Sequence, residues 1–218
     1  MTSASDRLIS SLVKNLEPVR PLPRLRLAFA IILAVWATLL GVVLWAQESE
    51  AGLRWLFSDR IYFGSFAGLV VASIGATCSS LAAGIPGRER LETSGMIVSF
   101  VGLLAAAVAC LVGMNEMASA ASSGPHGIDG MCFRKGALLS LLPGGVILSF
   151  LVRGWSAHPL RAAMLALFAS GALGTLIVHA SCGFIEAEHL LIGHLSVPIA
   201  LIALGSYPLF VILRRVRR

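Results

Sequence analysis

Charge is what this sequence lacks most. Asp, Glu, Lys and Arg make up 13% of its 218 residues, against about 25% in an ordinary soluble domain. With 57% apolar residues, a water-soluble globule is excluded, because a soluble surface needs polar cover. There is no CxxC, GxSxG, HExxH or phosphate-binding loop, so the familiar signatures of thiol-redox, acyl-transfer, metalloprotease and nucleotide chemistry are missing. Ionisable groups are nearly absent from the middles of the apolar runs, where transporters place partners for ions and substrates. No internal repeat is visible either. Stretches such as LLAAAVACLV do not alternate apolar with polar, which excludes a membrane β-barrel. The net charge is +6 and the pI about 9.8, yet no basic stretch is interleaved with aromatics as a nucleic-acid surface would require.

What is present is long apolar runs, and a mean hydropathy of +0.86. Crossing a bilayer as a helix takes about 20 apolar residues, and six runs qualify: 25–46, 61–85, 95–114, 136–152, 160–180 and 190–213. The expected fold is therefore all-α, a polytopic bundle of six transmembrane helices. A cytoplasmic amphipathic segment (1–24) precedes the membrane domain (25–213), and a basic tail (214–218) follows it. The first run is too long for a signal peptide and no A-x-A site follows it, so it is kept as a span. Pro143-Gly144-Gly145 interrupts the fourth run and should kink or unwind it.

Orientation follows from the cationic residues. All but four of the 17 Lys and Arg fall on one side: five between Arg7 and Arg26, then Arg88, Arg90, Arg153, Arg161 and four at the C-terminus. The other side carries Arg54, Arg60, Arg134 and Lys135. This predicts that both termini are cytoplasmic. Within the second run, Gly64 and Gly68 form a GxxxG pair continued by Ala72, Ala76, Ser80 and Gly84, and Ser170 and Gly174 repeat the spacing in the fifth. Small residues let helix backbones approach in lipid, so these are read as packing seams within one bundle.

Residues 6–17 read as a helix, with Ser3 and Asp6 as a capping pair and Pro18 as its stop. Leu8, Ile9, Leu12, Val13 and Leu16 make one apolar face. Such a face can lie on headgroups or dock into a groove on a soluble partner.

On the outer face stand two cysteines, Cys132 in the loop before the fourth span and Cys182 just after the fifth. An oxidising compartment lets such a pair form a disulfide or bind a metal. Cys78 and Cys110 lie inside helices and read as small apolar side chains. His126, His179, His189 and His194 crowd the same side as Cys132 and Cys182. His179 and Cys182, three apart, would share a face if the helix continued. His189 and His194, five apart, would point about 140° away from each other on an α-helix and need a break to share one ion. The cluster matches no standard zinc spacing.

These pieces together resemble the NrsF family of bacterial membrane anti-sigma factors. The likeness is carried by Leu16-Glu17-Pro18-Val19-Arg20-Pro21-Leu22, Pro86-Gly87-Arg88-Glu89, Cys132 ahead of Leu142-Pro143, and Arg153-Gly154. Further on, Gly171-Ala172-Leu173-Gly174, His179-Ala180-Ser181-Cys182, His189 and His194 continue it. The resemblance implies a non-enzymatic regulator in the inner membrane that sequesters an extracytoplasmic-function sigma factor. Leu8, Ile9, Leu12, Val13, Leu16, Pro18, Val19 and Arg20 would bind that partner. Cys132 and Cys182, with His179, His189 and His194, would sense a metal or an oxidant, and Pro143, Gly144 and Gly145 would form the hinge. No cofactor is required, and a transition-metal ion held by Cys132, Cys182, His189 and His194 is a candidate signal. A small thiol-disulfide oxidoreductase, a permease or a scaffold subunit are the alternatives.

Overall fold

The computed structural model of the chain describes residues 4–14, 22–47, 51–119 and 130–216. Every regular element among them is helical. An N-terminal helix α1 (Ala4–Lys14) precedes α2 (Leu25–Gln47), the short α3 (Ala51–Ser58), α4 (Arg60–Ala82) and α5 (Glu89–Ser119). Then come α6 (Gly130–Leu139), α7 (Leu141–Arg153) and α8 (Pro159–Ser181). The chain ends with α9 (Ala187–His189), a π-helix (Leu190–Leu195) and α10 (Ser196–Val216). Six helical stretches are long and apolar enough to cross a membrane: Leu25–Ala46, Arg60–Ala82, Glu89–Glu116, Gly130–Arg153, Pro159–Ser181 and Ala187–Val216. These are the six expected runs: the first coincides, the second ends three residues sooner, at Ala82, and the other four are longer.

Helix α8 is the axis of the bundle, packed against α2, α4, α6, α7 and α10. Its small residues make this possible. Ala162, Ala163, Ala166, Ala169 and Ala172 are all buried, and Gly174 is so close to α6 that an added Cβ would lie 2.4 Å from the Gly136 carbonyl oxygen. Helix α2 lies at the periphery, with Leu27, Ile31, Leu33 and Val42 turned outward to lipid. Its Trp36 indole donates to the Leu173 carbonyl at 3.0 Å.

The closest helix pair is α4 and α5. A Cβ on Gly68 would meet Ala106 N at 2.5 Å, one on Gly75 would meet Ser99 N at 2.5 Å, and one on Gly102 would meet Ala72 N at 2.4 Å. The expected seam is there, but its path differs. It runs through Gly68, Ala72, Gly75 and Ser79 rather than along strict fours, while Ala76 turns into the core shared with α2, α7 and α8. Alternating steps of four and three hold two helices in contact over several turns, whereas steps of four alone drift around the axis. Ion pairs mark the two ends: Arg60 with Glu116 at 2.6 Å and Arg161 with Glu92 at 2.6 Å.

The fourth span is disturbed rather than severed near the Pro-Gly-Gly triplet. The break in regular helix is the single residue Ser140, between α6 and α7, three residues ahead of Pro143. Ser140 keeps helical angles and the bonds from Ser140 N to the Gly136 carbonyl (3.0 Å) and from Gly144 N to the Ser140 carbonyl (2.9 Å). Proline has no N–H to give the carbonyl four residues back and its ring crowds that carbonyl, so the disturbance appears N-terminal to it. Ser140 Oγ donates to the Ala137 carbonyl at 2.6 Å, and Gly144 lies against Ser170 of α8.

Candidate functional site

Cys132, Cys182, His179, His189 and His194 gather at the end of the bundle opposite Leu25 and Leu213, which pack together with Leu151 in the other core. Four elements supply them: the first turn of α6, the C-terminus of α8, α9 and the π-helix. Cys132 belongs to helix α6, not to the preceding loop as expected. Arg134 and Lys135 lower the hydropathy there, yet both are exposed, so the helix can start at Gly130 with its cations at the membrane surface. Cys182 lies just past α8, as expected: the helix ends at Ser181, and Cys182 is its extended C-cap (φ −78, ψ 132), so no continuing turn puts it on one face with His179. Tyr62 of α4 accounts for the stop: its hydroxyl donates to the His179 carbonyl and lies 3.2 Å from the Cys182 carbonyl.

The break required between His189 and His194 is the π-helix. In an i→i+5 turn, residues five apart come nearly one above the other, and the two rings stand edge to face at 5.2 Å between centroids. Thr175 of α8 helps to hold this turn, with Oγ1 3.3 Å from the His194 carbonyl. No feature of the local sequence other than the histidine spacing announces the π-helix.

Cys132, Cys182, His189 and His194 each offer a donor atom, and the four atoms lie within 4.8 Å of one another. The Cys132 and Cys182 sulfurs are 3.8 Å apart and unbonded, and the Cys182 sulfur is 3.5 Å from His189 Nε2. Zinc-like bonds of about 2.3 Å to sulfur and 2.0–2.1 Å to nitrogen at tetrahedral angles would give edges of about 3.8 and 3.5 Å. The sulfur–sulfur and Cys182–His189 edges match those of a tetrahedral thiolate–imidazole site. Hydrogen bonding to Cys132, together with burial, raises the Cys182 pKa.

His179 stands beside this group, not in it. Fully buried, it has Nδ1 3.0 Å from His194 Nδ1 and Nε2 3.2 Å from Ser65 Oγ. Tyr62 and Ser65 were missed in the sequence. Their only signal is a pair of polar residues three apart in the first turns of an apolar helix. His126 lies outside the described residues. Cys78 and Cys110 remain apart from the cluster, and Cys110 is buried in an apolar core with Leu69, Ala106 and Leu190.

Of the leader face, Leu8, Ile9 and Val13 are exposed on α1. Leu16, Pro18, Val19 and Arg20 lie outside the described residues, as do Ser3 and the side chain of Leu12.

A family model described as negative regulator of sigma F (NrsF) matches residues 12–214. No curated protein matches the chain, and no solved structure does.

Proposed function

The chain belongs to the NrsF family, negative regulators of a sigma factor, and from that premise we propose that it holds an extracytoplasmic-function sigma factor at the bacterial inner membrane until an outside signal reaches its cysteines. The observation that carries this reading is the convergence of two thiols and two imidazoles at one end of the bundle, opposite the end at which the N-terminal segment joins it. Both termini are cytoplasmic in this reading, and the cluster faces the periplasm.

In the resting state Leu8, Ile9, Leu12, Val13 and Leu16 fill a groove on the sigma factor, with Pro18, Val19 and Arg20 at its rim, and RNA polymerase is excluded. The signal is a thiophilic divalent cation, which Cys132, Cys182, His189 and His194 would hold and whose binding draws α6, α8 and the π-helix together. An oxidant is a second stimulus, favoured by the 3.8 Å between the sulfurs: it would remove two electrons and two protons from the thiols to form a disulfide. Either event crosses about 30 Å of bilayer by helix movement, with the Ser140–Gly145 break as the hinge. Release requires the two states to differ by a few kcal/mol in sigma affinity.

The test is to purify the tagged protein from membranes with its soluble partner and add Cd2+. A sigma factor that copurifies and leaves on Cd2+ addition supports the proposal. A partner that stays bound in Cd2+ and in oxidant, while the cells' own stimulus still induces the regulon, refutes sensing at these thiols.

A further inference from the structure

One arrangement of protons accounts for the hydrogen bonds behind the cluster. Ser65 Oγ lies 2.9 Å from the Tyr62 carbonyl, and a carbonyl can only accept, so the Ser65 proton points there. His179 Nε2 faces Ser65 Oγ at 3.2 Å and the same carbonyl at 3.5 Å. Both oxygens can take a proton from it, and one can do nothing else, so Nε2 carries the ring proton. Buried among apolar residues with no carboxylate beside it, the ring is neutral and has one N–H. Its Nδ1 is then bare and must accept from His194 Nδ1 at 3.0 Å. His194 therefore carries its proton on Nδ1. Its Nε2 is left bare, buried on the Cys132 side of the ring with no hydrogen bond of ordinary geometry.

We propose that Ser65 and His179 are positioning residues that lock His194 into the tautomer presenting a bare Nε2 to Cys132 and Cys182. Histidines that hold metals usually donate their second ring nitrogen to a fixed acceptor, which sets tautomer and orientation together. Here that acceptor is another imidazole, held in turn by a serine of α4. The inference deepens the metal-sensing reading above and rests on it for its purpose. It adds the ligand class, a cation that takes neutral imidazole beside thiolate, such as Zn2+ or Cd2+. A disulfide switch would need no such preparation of His194. Tyr62 ties the same chain to the Cys182 carbonyl, so α4 contacts both Cys182 and the relay.

The tautomer and the metal can be measured separately. In micelles, 15N NMR of histidine-labelled full-length protein without metal distinguishes a bare from a protonated ring nitrogen, with H194N assigning the resonance. We expect His194 Nε2 to be bare in the wild type. Loss of this fixed state is expected in H179L and, to a smaller extent, in S65A. Cd2+ titration, read by thiolate–metal absorption, should weaken about 10- to 100-fold in H179L. H179N keeps an acceptor near the Nδ1 position and should restore most of the affinity. If H179L does not fold, the near-isosteric S65A carries the test. A protonated His194 Nε2 in the wild type, or a tautomer unmoved by S65A and H179L, overturns the proposal. If the tautomer is as stated and Cd2+ does not bind the wild type, the positioning stands and the metal-sensing reading fails.

Discussion

At one end of the bundle Leu81, Ile147, Leu151 and Leu213 are packed with Ala162 and Ala166; at the other, Tyr62, His179, His194 and Cys182 are buried as deeply. The first end needs only shape. Its contacts are apolar, and its turns dock closely, with Trp155 N donating to the Gly84 carbonyl at 3.0 Å and Gly154 pressed on Gly84. The second end buries polar atoms beside an apolar solvent, where an unpaired one costs several kcal/mol. Nearly all of them are paired among themselves. The His194 Nε2 is an exception, and it lies where a cation would use it. The contrast is between an end packed by apolar side chains and an end whose buried side chains are polar.

The comparison can be broken at the polar end first. Replacing Cys132 and Cys182 with Ser should leave repression intact and abolish induction. It should weaken Cd2+ binding about 10⁴- to 10⁶-fold, since four-ligand zinc sites hold about 10–16 kcal/mol and half the ligands go. A double variant that still responds normally to the natural stimulus reduces these thiols to structure. Next in size is the output. Leu12→Asp with Leu16→Asp removes two apolar anchors worth about 2 kcal/mol each, so sigma affinity should fall roughly 10³-fold and the target genes should turn on without a signal. Unchanged repression by a stably inserted variant would sink the docking face.

The mirror experiment strikes the packing instead. Gly75→Leu forces a side chain onto the α5 backbone and should cost about 3 kcal/mol in unfolding from detergent. If its Cd2+ affinity falls as far as that of the thiol variant, the two ends are not separable. The smallest effect is expected at the break in the fourth span. Pro143→Ala restores a donor for the Leu139 carbonyl and should straighten α6 into α7, lowering the induction ratio a few-fold, by about 1 kcal/mol of state preference. A reporter assay with equal protein levels reads this. An induction ratio equal to wild type removes the hinge role.

The spans were legible because the cost of polar backbone and charge in lipid leaves a coarse record in composition. The glycines of α4 were legible as a seam, though not which α5 residues they meet. At the site, the sequence named all four donors but could not bring them together. Cys132 was displaced into a loop by the cations beside it. Cys182 was placed correctly just past a helix, but without its tie to Tyr62, a contact 120 residues away in the chain. His189 and His194 were set on opposite faces because a local count assumes 3.6 residues per turn.

By itself, the sequence determined that this protein lives in a bilayer, how many times it crosses, where its small-residue contacts lie and which side chains could answer a metal or an oxidant. These follow from solvent and from residue type, which act position by position. Tertiary structure alone decided that two thiols and two imidazoles share one small volume, that a π-turn aligns the last two histidines, and that His179 supports the group from behind. Those outcomes depend on contacts between α4, α6, α8 and the π-helix, and helix association in lipid is set by close fit between surfaces, not by the pattern along any one of them.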